Sequence, residues 1–282
     1  MSQVDIIIPT YNRAHLIRRA IESVRAQTYQ EWRLWIIDDA SQDATEAVVA
    51  EYQDPRIRYC RHEMNQGAAA ARNTGMRQGT SPFIAFLDSD DEWLPDKLSR
   101  QLEVMQQNSS GISVTAFEWH VDGKVNTHVP MIARFLDAIS QGCDLSPGST
   151  LMIKREVIND IGLMDTTLQR FEDWDWLLRY AVAGGKCATV PEICARIYTN
   201  RGAASRSTLA AVPIFSKRHA QTLGNLGASG RRGLGQLWLQ GAGEARRLRQ
   251  WGTMLRYLWH AYKYCPQVVM QYLRNYVCSL RS

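Results

Sequence analysis

The sequence predicts an α/β protein: a mostly parallel central sheet flanked by helices, with a helical C-terminal extension. Three observations carry this. Short apolar runs alternate with amphipathic stretches four times before residue 108, the pattern of a parallel, helix-covered sheet. Polar or acidic residues follow three of the runs, at 10–13, 38–41 and 88–91; in such sheets the carboxyl ends of the strands share one edge, where ligands bind. From Lys217 the chain turns basic, aromatic and helical. Eleven Lys and Arg stand there against Glu244 alone, in a chain of net charge +5, so residues 1–216 are net acidic.

Residues 4–8 read as a first buried strand, ended by Pro9. Asn12 is the expected N-cap of a helix over 13–26, where Leu16, Ile17, Ala20, Ile21 and Val24 recur at helical spacing. A second strand covers 32–37, and Ser41 is placed to cap a helix through Ala44, Ala47, Val48 and Ala50. A short third strand covers 56–60, Asn65-Gln66-Gly67 is a turn, and 68–76 is an Ala-rich helix. The run 83–87 is a fourth strand that stops in Asp88, Asp90 and Asp91, and Pro95 opens a helix to about 107. Residues 112–119 and 124–129 around Asp122-Gly123 read as a hairpin. Residues 149–153 are a short strand, 173–183 a helix and 189–198 a strand, completing a mixed sheet in the same domain. The expected boundaries are 1–212 for the α/β domain and 213–282 for the extension, joined by a Gly/Ala/Ser-rich link over 202–207.

The six cysteines are scattered, without Cys-x-x-Cys spacing or a His/Cys cluster, and read as reduced thiols of a cytoplasmic protein. His15, His62, His120 and His128 show no ligand spacing and read as surface or core residues. The N-terminus lacks the regions of a signal peptide, and no 18-residue apolar run predicts a membrane-spanning helix. The basic, aromatic extension can pack on the body, bind a partner or lie on an anionic membrane surface. Peripheral attachment at the inner face of the cell membrane is the favoured expectation. No nucleic-acid-binding module is recognisable.

The oxygens of Asp88 and Asp90 can converge on a hard cation, Mn²⁺ or Mg²⁺, which takes its remaining ligands from water and substrate phosphates. Taken alone, Asp-x-Asp is equally a solvated acidic turn capping the next helix. The first crossover has no Gly-x-Gly-x-x-Gly and no phosphate loop ending in Gly-Lys-Ser/Thr, which argues against a dinucleotide cofactor and an ATPase.

Five segments in order, Ile6-Ile7-Ile8-Pro9-Thr10-Tyr11-Asn12-Arg13, Ile36-Ile37-Asp38-Asp39-Ala40-Ser41, Asn65 to Asn73, Phe86-Leu87-Asp88-Ser89-Asp90-Asp91 and Glu172-Asp173-Trp174-Asp175, resemble the motif series of family 2 glycosyltransferases over about residues 3–200. The resemblance implies the Rossmann-like GT-A fold and sugar transfer from a nucleotide diphosphate sugar, UDP first, with inversion at the sugar carbon. The implied acceptor is a hydroxyl of a glycan or lipid-linked saccharide, in surface-polysaccharide or lipopolysaccharide assembly. Pro9, Thr10, Tyr11, Asp39, Arg72, Asp88 and Ser89 would bind the donor nucleotide, with the Tyr11 ring flanking the base and Asp39 accepting from the pyrimidine N–H. Asp90 with Asp88 would hold the metal, Asp173 would be the general base, and Glu172 and Trp174 would meet the acceptor or sugar. Asp91 and Asp173 also read as helix caps, and Asp38 as the lesser partner of Asp39. Where the family often has Tyr-Arg-x-His, this chain has Tyr198-Thr199-Asn200-Arg201, which implies Arg201 as a substitute anion contact, followed by Ser205 and Ser207. Two rivals stand beside this: a sugar nucleotidyltransferase, disfavoured because 9–13 contains no glycine, and a non-catalytic nucleotide-sugar-binding protein, disfavoured by Asp88, Asp90, Glu172 and Asp173.

Overall fold

The structure, a computed structural model, describes residues 3–130, 132, 134–199 and 206–279, with side chains to 274. The implied roles of Arg201 and Ser205 lie outside the described residues. Two compact units form. One comprises Met1–Phe135, Asp144–Thr166 and Arg179–Arg201, the other Leu136–Cys143, Thr167–Leu178 and Gly202–Ser282.

The first unit opens with β1 (Val4–Thr10), α1 (Ile17–Arg25), β2 (Trp32–Asp38), α2 (Thr45–Ala50), β3 (Ile57–Arg61), α3 (Ala68–Gln78) and β4 (Phe83–Phe86). The four strands are parallel neighbours in the order β3-β2-β1-β4. Ile17, Ala20, Ile21 and Val24 of α1 are wholly buried, and each large apolar side chain so placed contributes about 1.5–3 kcal/mol. α3 lies close on β1 because its packed face is alanine and glycine: a Cβ on Gly75 would stand 2.6 Å from Ile7 Cγ2.

Pro9 does not end β1; the strand runs through it to Thr10, paired Pro9↔Ile37 and Thr10↔Asp38 with β2. The Ile7 carbonyl accepts the Leu87 N–H on the β4 side, so position 9 also faces that side. There the β4 ladder has already stopped at Ile7↔Phe86, and proline's missing N–H costs no ladder bond. At the opposite end of the strand, Asp5 is buried; its carboxylate accepts from Trp35 Nε1 at 3.1 Å, the Ser81 N–H at 2.7 Å and Arg155 Nη2 at 2.8 Å.

The chain continues through β5 (Glu92–Trp93), α4 (Lys97–Asn108), β6 (Ile112–Val121), β7 (Lys124–His128), α5 (Phe135–Gln141), α6 (Pro147–Thr150), β8 (Met152–Lys154), α7 (Glu156–Ile161), α8 (Glu172–Val182) and β9 (Cys187–Thr199). Among the described residues the strands form one nine-stranded sheet, β3-β2-β1-β4-β8-β6-β9-β5, with β7 paired to β6. The mixed completion of one sheet is as expected, and so is the hairpin, whose Asp122 and Gly123 both have positive φ. Pro191 is accommodated by a register shift: Thr115 pairs with Val190 and Ala116 with Ile193, leaving Pro191 and Glu192 out of the β6–β9 ladder. The expected strand over 149–153 is half right. Residues 147–150 form the short helix α6, with Pro147 in its first turn, and only the following residues pair as β8.

The second unit carries α9 (Arg206–Asn225), α10 (Gly227–Arg247), α11 (Trp251–Tyr264) and α12 (Pro266–Ser279). The expected start of the extension at residue 213 falls inside α9. Proline is tolerated there because the carbonyl it leaves without its helical N–H, that of Leu209, accepts the Tyr257 hydroxyl at 2.8 Å.

Candidate active site

The carboxyl ends of β1 and β2 are laced together before either helix begins. Asn12, at φ 53°, donates its N–H to Ser41 Oγ at 2.8 Å and accepts the Gln42 N–H on Oδ1 at 2.7 Å. The Arg13 N–H reaches Thr45 Oγ1 and the Ala14 N–H reaches Asp43 Oδ2. Asn12 and Ser41 therefore bridge two loops and do not cap the helices expected after them, which begin later, at Ile17 and Thr45. Pro9 and Thr10 are buried, and Thr10 Oγ1 has no hydrogen-bond partner among the described residues. Tyr11 is 42% exposed, its ring open to a ligand.

Asp38 and Asp39 divide. Asp38, wholly buried, accepts from the Ser41 N–H at 2.7 Å and the Tyr59 hydroxyl at 2.5 Å, and burial, then this bond, pushes the Tyr59 phenol upward. Asp39 accepts the Gln66 N–H at 2.9 Å on Oδ1 and the Gly67 N–H at 2.7 Å on Oδ2. His62 Nδ1 lies 2.8 Å from Asp39 Oδ1, and its Nε2 lies 2.9 Å from Thr74 Oγ1. Because a carboxylate only accepts, His62 donates to it from Nδ1. Sequence reasoning missed this part for His62, since nothing local marks a histidine whose partner sits at the end of another strand.

The acid turn after β4 is held from two sides. Arg72, buried on α3, donates from Nη2 to Asp88 Oδ1 at 2.7 Å. Its neighbour Asn73 pins the backbone of Met164 with two hydrogen bonds. From the other side, the Asp88 carboxylate lies directly on Gly148 of α6, where a Cβ would stand 2.8 Å from Oδ1, 2.7 Å from Cγ and closer still to Oδ2. Ser149 Oγ accepts the Asp88 N–H at 3.1 Å and donates to Asp91 Oδ2 at 2.5 Å, while its carbonyl accepts Trp93 Nε1 at 2.7 Å. Gly148 and Ser149 also escaped the sequence reading, hidden in a segment expected to be strand.

Ser89 is buried. Asp91 is buried and accepts the Tyr198 N–H on Oδ1 at 2.8 Å. It ties β9 to the turn instead of capping the next helix, whose N-cap position is Asp96. Burial, then the charges of Asp88 and Asp90, drive the Asp91 carboxyl well up. Asp90 is raised first by burial and then by Asp88, with Arg13 and Arg19 pulling the other way. Arg19 donates to the Asp90 carbonyl and stacks 3.7 Å above the Tyr198 ring. Among the described residues no three His, Cys, Asp or Glu side chains gather into a self-sufficient metal site. The carboxylates of Asp88 and Asp90 are the donors that would suit a hard cation, which would complete its shell from phosphate and water.

In the second unit, Glu172 and Asp173 open α8 and are half-buried. Asp173, inside the first turn of α8, accepts the Trp174 N–H on Oδ1 at 2.7 Å. Phe171 just before them has φ 68°, uncommon for a bulky residue. Asp175, 1% exposed, lies 2.8 Å from His219 Nε2 and 3.3 Å from Arg218 Nη1 of α9. Trp174 departs from expectation: its indole N–H donates to the Ile139 carbonyl and its ring stacks 4.4 Å from Phe215, leaving it 4% exposed. No face of Trp174 is open for a sugar, and Trp176 is buried as well.

Comparison with known proteins places the chain in a glycosyltransferase family. The family model "Glycosyl transferase family 2" matches residues 5–162, and the chain belongs to that family. Among curated relatives, the Escherichia coli UDP-Glc:alpha-D-GlcNAc-diphosphoundecaprenol beta-1,3-glucosyltransferase WfgD is 46% identical over 106 residues, 38% of this chain and 42% of that protein. The putative teichuronic acid biosynthesis glycosyltransferase TuaG of Bacillus subtilis is 35% identical over 62% of this chain and 72% of its own length. The putative colanic acid biosynthesis glycosyl transferase WcaA of Escherichia coli K12 is 32% identical over 71% and 73%. Among solved structures, S. aureus TarS superposes with a TM-score of 0.66 at 17% identity, covering 95% of this chain and 54% of TarS. The fold is therefore the expected GT-A arrangement.

Proposed function

We propose that the chain transfers one sugar from a nucleotide diphosphate sugar, UDP first, to a hydroxyl of a glycan or lipid-linked saccharide, with inversion, in surface-polysaccharide assembly. The observation that carries the reading is the Arg72–Asp88 pair beside Asp90, on the same sheet edge as the anchored Asp39. The Tyr11 ring flanks the base, Thr10 Oγ1 bonds the nucleotide and Asp39 accepts the pyrimidine N–H. Pro9 and Ser89 shape the floor. Arg72 orients Asp88. Asp88 and Asp90 would hold Mn²⁺ or Mg²⁺, which supplies charge neutralisation for the departing diphosphate. Relatives support the ligand classes: the name of WfgD specifies UDP-Glc and a diphosphoundecaprenol-linked acceptor, TarS has been crystallised with UDP-GlcNAc, and a Pyrobaculum mannosyltransferase with GDP-Man and Mn²⁺.

Asp173 is the general base. It takes the proton of the acceptor hydroxyl as that oxygen bonds to the sugar carbon and the bond to the diphosphate breaks, with no covalent enzyme intermediate. Glu172 bonds the acceptor or sugar. Thermal shift with UDP, TDP, GDP, CDP and ADP, each with and without Mn²⁺, tests the donor site; a metal-dependent shift with UDP is expected, of about 2.7 kcal/mol at a hundredfold excess over Kd. Asp173→Asn should keep that shift and lose about 10²–10⁴ in turnover of the UDP-sugar. Full turnover in the variant would remove Asp173 from the mechanism. A UDP shift without turnover of any sugar nucleotide and acceptor would favour the binding-protein reading.

A further inference from the structure

The second unit presents an apolar face that its own packing leaves uncovered. On α11, Trp251, Leu255, Trp259 and Tyr262 are 57%, 62%, 56% and 52% exposed. Their spacing of four, four and three residues puts them on one stripe of the helix. The inward side of the same helix is occupied by Tyr257 and Ala261, both buried. Met270 and Leu273 extend the exposed apolar surface on α12.

Cations border the stripe. Lys263 Nζ lies 4.3 Å over the Trp259 ring. On α9, α10 and α11, Lys217, Arg256 and His260 line an open concavity of about 550 Å³ whose floor is Trp238, Tyr257 and Tyr264. The His260 ring, stacked 4.3 Å from Trp238, is held below its ordinary proton affinity by burial and then by Lys263 and Arg256, which fits a concentration of positive charge there. The one acid of this stretch, Glu244, is already bonded to Arg247.

We infer that α11 is an interfacial helix that lays its Trp251–Leu255–Trp259–Tyr262 stripe into an anionic lipid surface, with Lys217, Arg256 and Lys263 taking lipid phosphates. Charge decides the occupant. A second copy would bring another strongly basic surface against this one, whereas an anionic bilayer complements it. Trp and Leu opposite Lys and Arg are the residues such helices use. No helix among the described residues is long and apolar enough to cross a membrane, so the contact is with the surface. The inference does not depend on the nature of the donor.

The test is co-sedimentation of the full chain with vesicles of phosphatidylcholine alone and of equal parts phosphatidylcholine and phosphatidylglycerol. The chain should pellet with the anionic vesicles and not with the neutral ones. Leu255→Glu with Trp259→Glu should abolish pelleting. Arg256→Glu with Lys263→Glu should weaken it well over tenfold, at roughly fivefold per charge near the surface. All four side chains are exposed or peripheral, so melting temperature and UDP binding should stay at wild-type values and separate this test from the donor reading. The inference is overturned if wild type stays in the supernatant, if it pellets equally with neutral vesicles, or if both double variants pellet as wild type does. It is also overturned if gel filtration shows a dimer that Leu255→Glu with Trp259→Glu dissolves while vesicles are not bound.

Discussion

Replacing Gly148 by alanine adds one methyl group at a point where the structure has no room for it. The new Cβ would stand 2.7 Å from Asp88 Cγ and 2.8 Å from Oδ1, where ordinary contact is 3.4–4 Å. The Asp88 carboxylate must therefore retreat by about 1 Å, and a misplacement of that size costs about 10²-fold in rate when the group positions reacting atoms. The retreat also takes Oδ1 off Arg72 Nη2, where it now sits at 2.7 Å. Stability should suffer less. Overpacking costs about 1–3 kcal/mol, and the Asp88 side chain is 37% exposed, so it can move toward solvent. The lower end of the range, about 1 kcal/mol, corresponds to a loss of roughly 2–4 °C in melting temperature. Calorimetric titration of UDP in the presence of Mn²⁺, turnover of the UDP-sugar and a melting curve together read the three effects. Gly148→Ala with wild-type metal-dependent UDP affinity and turnover would refute the claim that this glycine sets the position of Asp88.

Three further outcomes follow from the same contacts. His62→Ala removes the Nδ1 donor from Asp39; hydrogen bonds to charged groups contribute about 1.5–3 kcal/mol, so UDP affinity should fall by ten- to a hundredfold while Mn²⁺ affinity stays, and unchanged UDP binding would show that His62 does not position the base contact. Asp5→Ala strands the Arg155 guanidinium and two N–H donors and should cost about 3–5 kcal/mol in urea denaturation; a loss below about 1 kcal/mol, the range of surface pairs, would show the pin to be dispensable. Lys97, wholly buried over the Trp93 ring with Nζ 2.5 Å from Gln101 Oε1, is pulled down to about 7 by burial. Between pH 7 and its ordinary 10.5 the unfolded chain then binds more protons than the folded one, so this group makes stability rise with pH across that window. Any advantage of Lys97→Met should be greatest below pH 7 and shrink toward pH 10, and a pH-independent difference would contradict the burial argument.

What the sequence could disclose was local. The β1–β4 strands and α3 follow from apolar runs and small residues that need no knowledge of their neighbours, and the acids at the strand ends are covalently next to those runs. The errors lie where a partner distant in sequence decides. Pro9 reads as a strand terminator until the neighbouring ladder is known to have stopped at Ile7. Ser149 reads as strand until its hydroxyl is found between Asp88 and Asp91, 61 and 58 residues away. Trp174 follows two acids and reads as a ligand platform, yet Phe215 of α9 covers its ring. In each case the residue type allowed both outcomes and only the tertiary partner chose between them.

The aspartates make the same point about chemistry. Asp38 and Asp91 have both oxygens engaged by donors of the chain itself, Ser41 and Tyr59 for one, Ser149 and Tyr198 for the other. Being buried and bonded, they brace the loops, and Asp39, bonded to Gln66, Gly67 and His62, is held in the same way. Asp88 has one oxygen on Arg72 and is partly open to solvent, and Asp90 sits against its charge with a raised proton affinity. In the proposed reading, Asp88, oriented by Arg72, and Asp90 are the two acids that a cation would join. Asp91 fixes the same turn to Ser149 and to β9. The Asp-Ser-Asp-Asp sequence thus divides into two acids proposed to meet a ligand and one that braces the turn, and the division follows from Ser149, Arg72 and the Tyr198 N–H, none of them part of the acid turn.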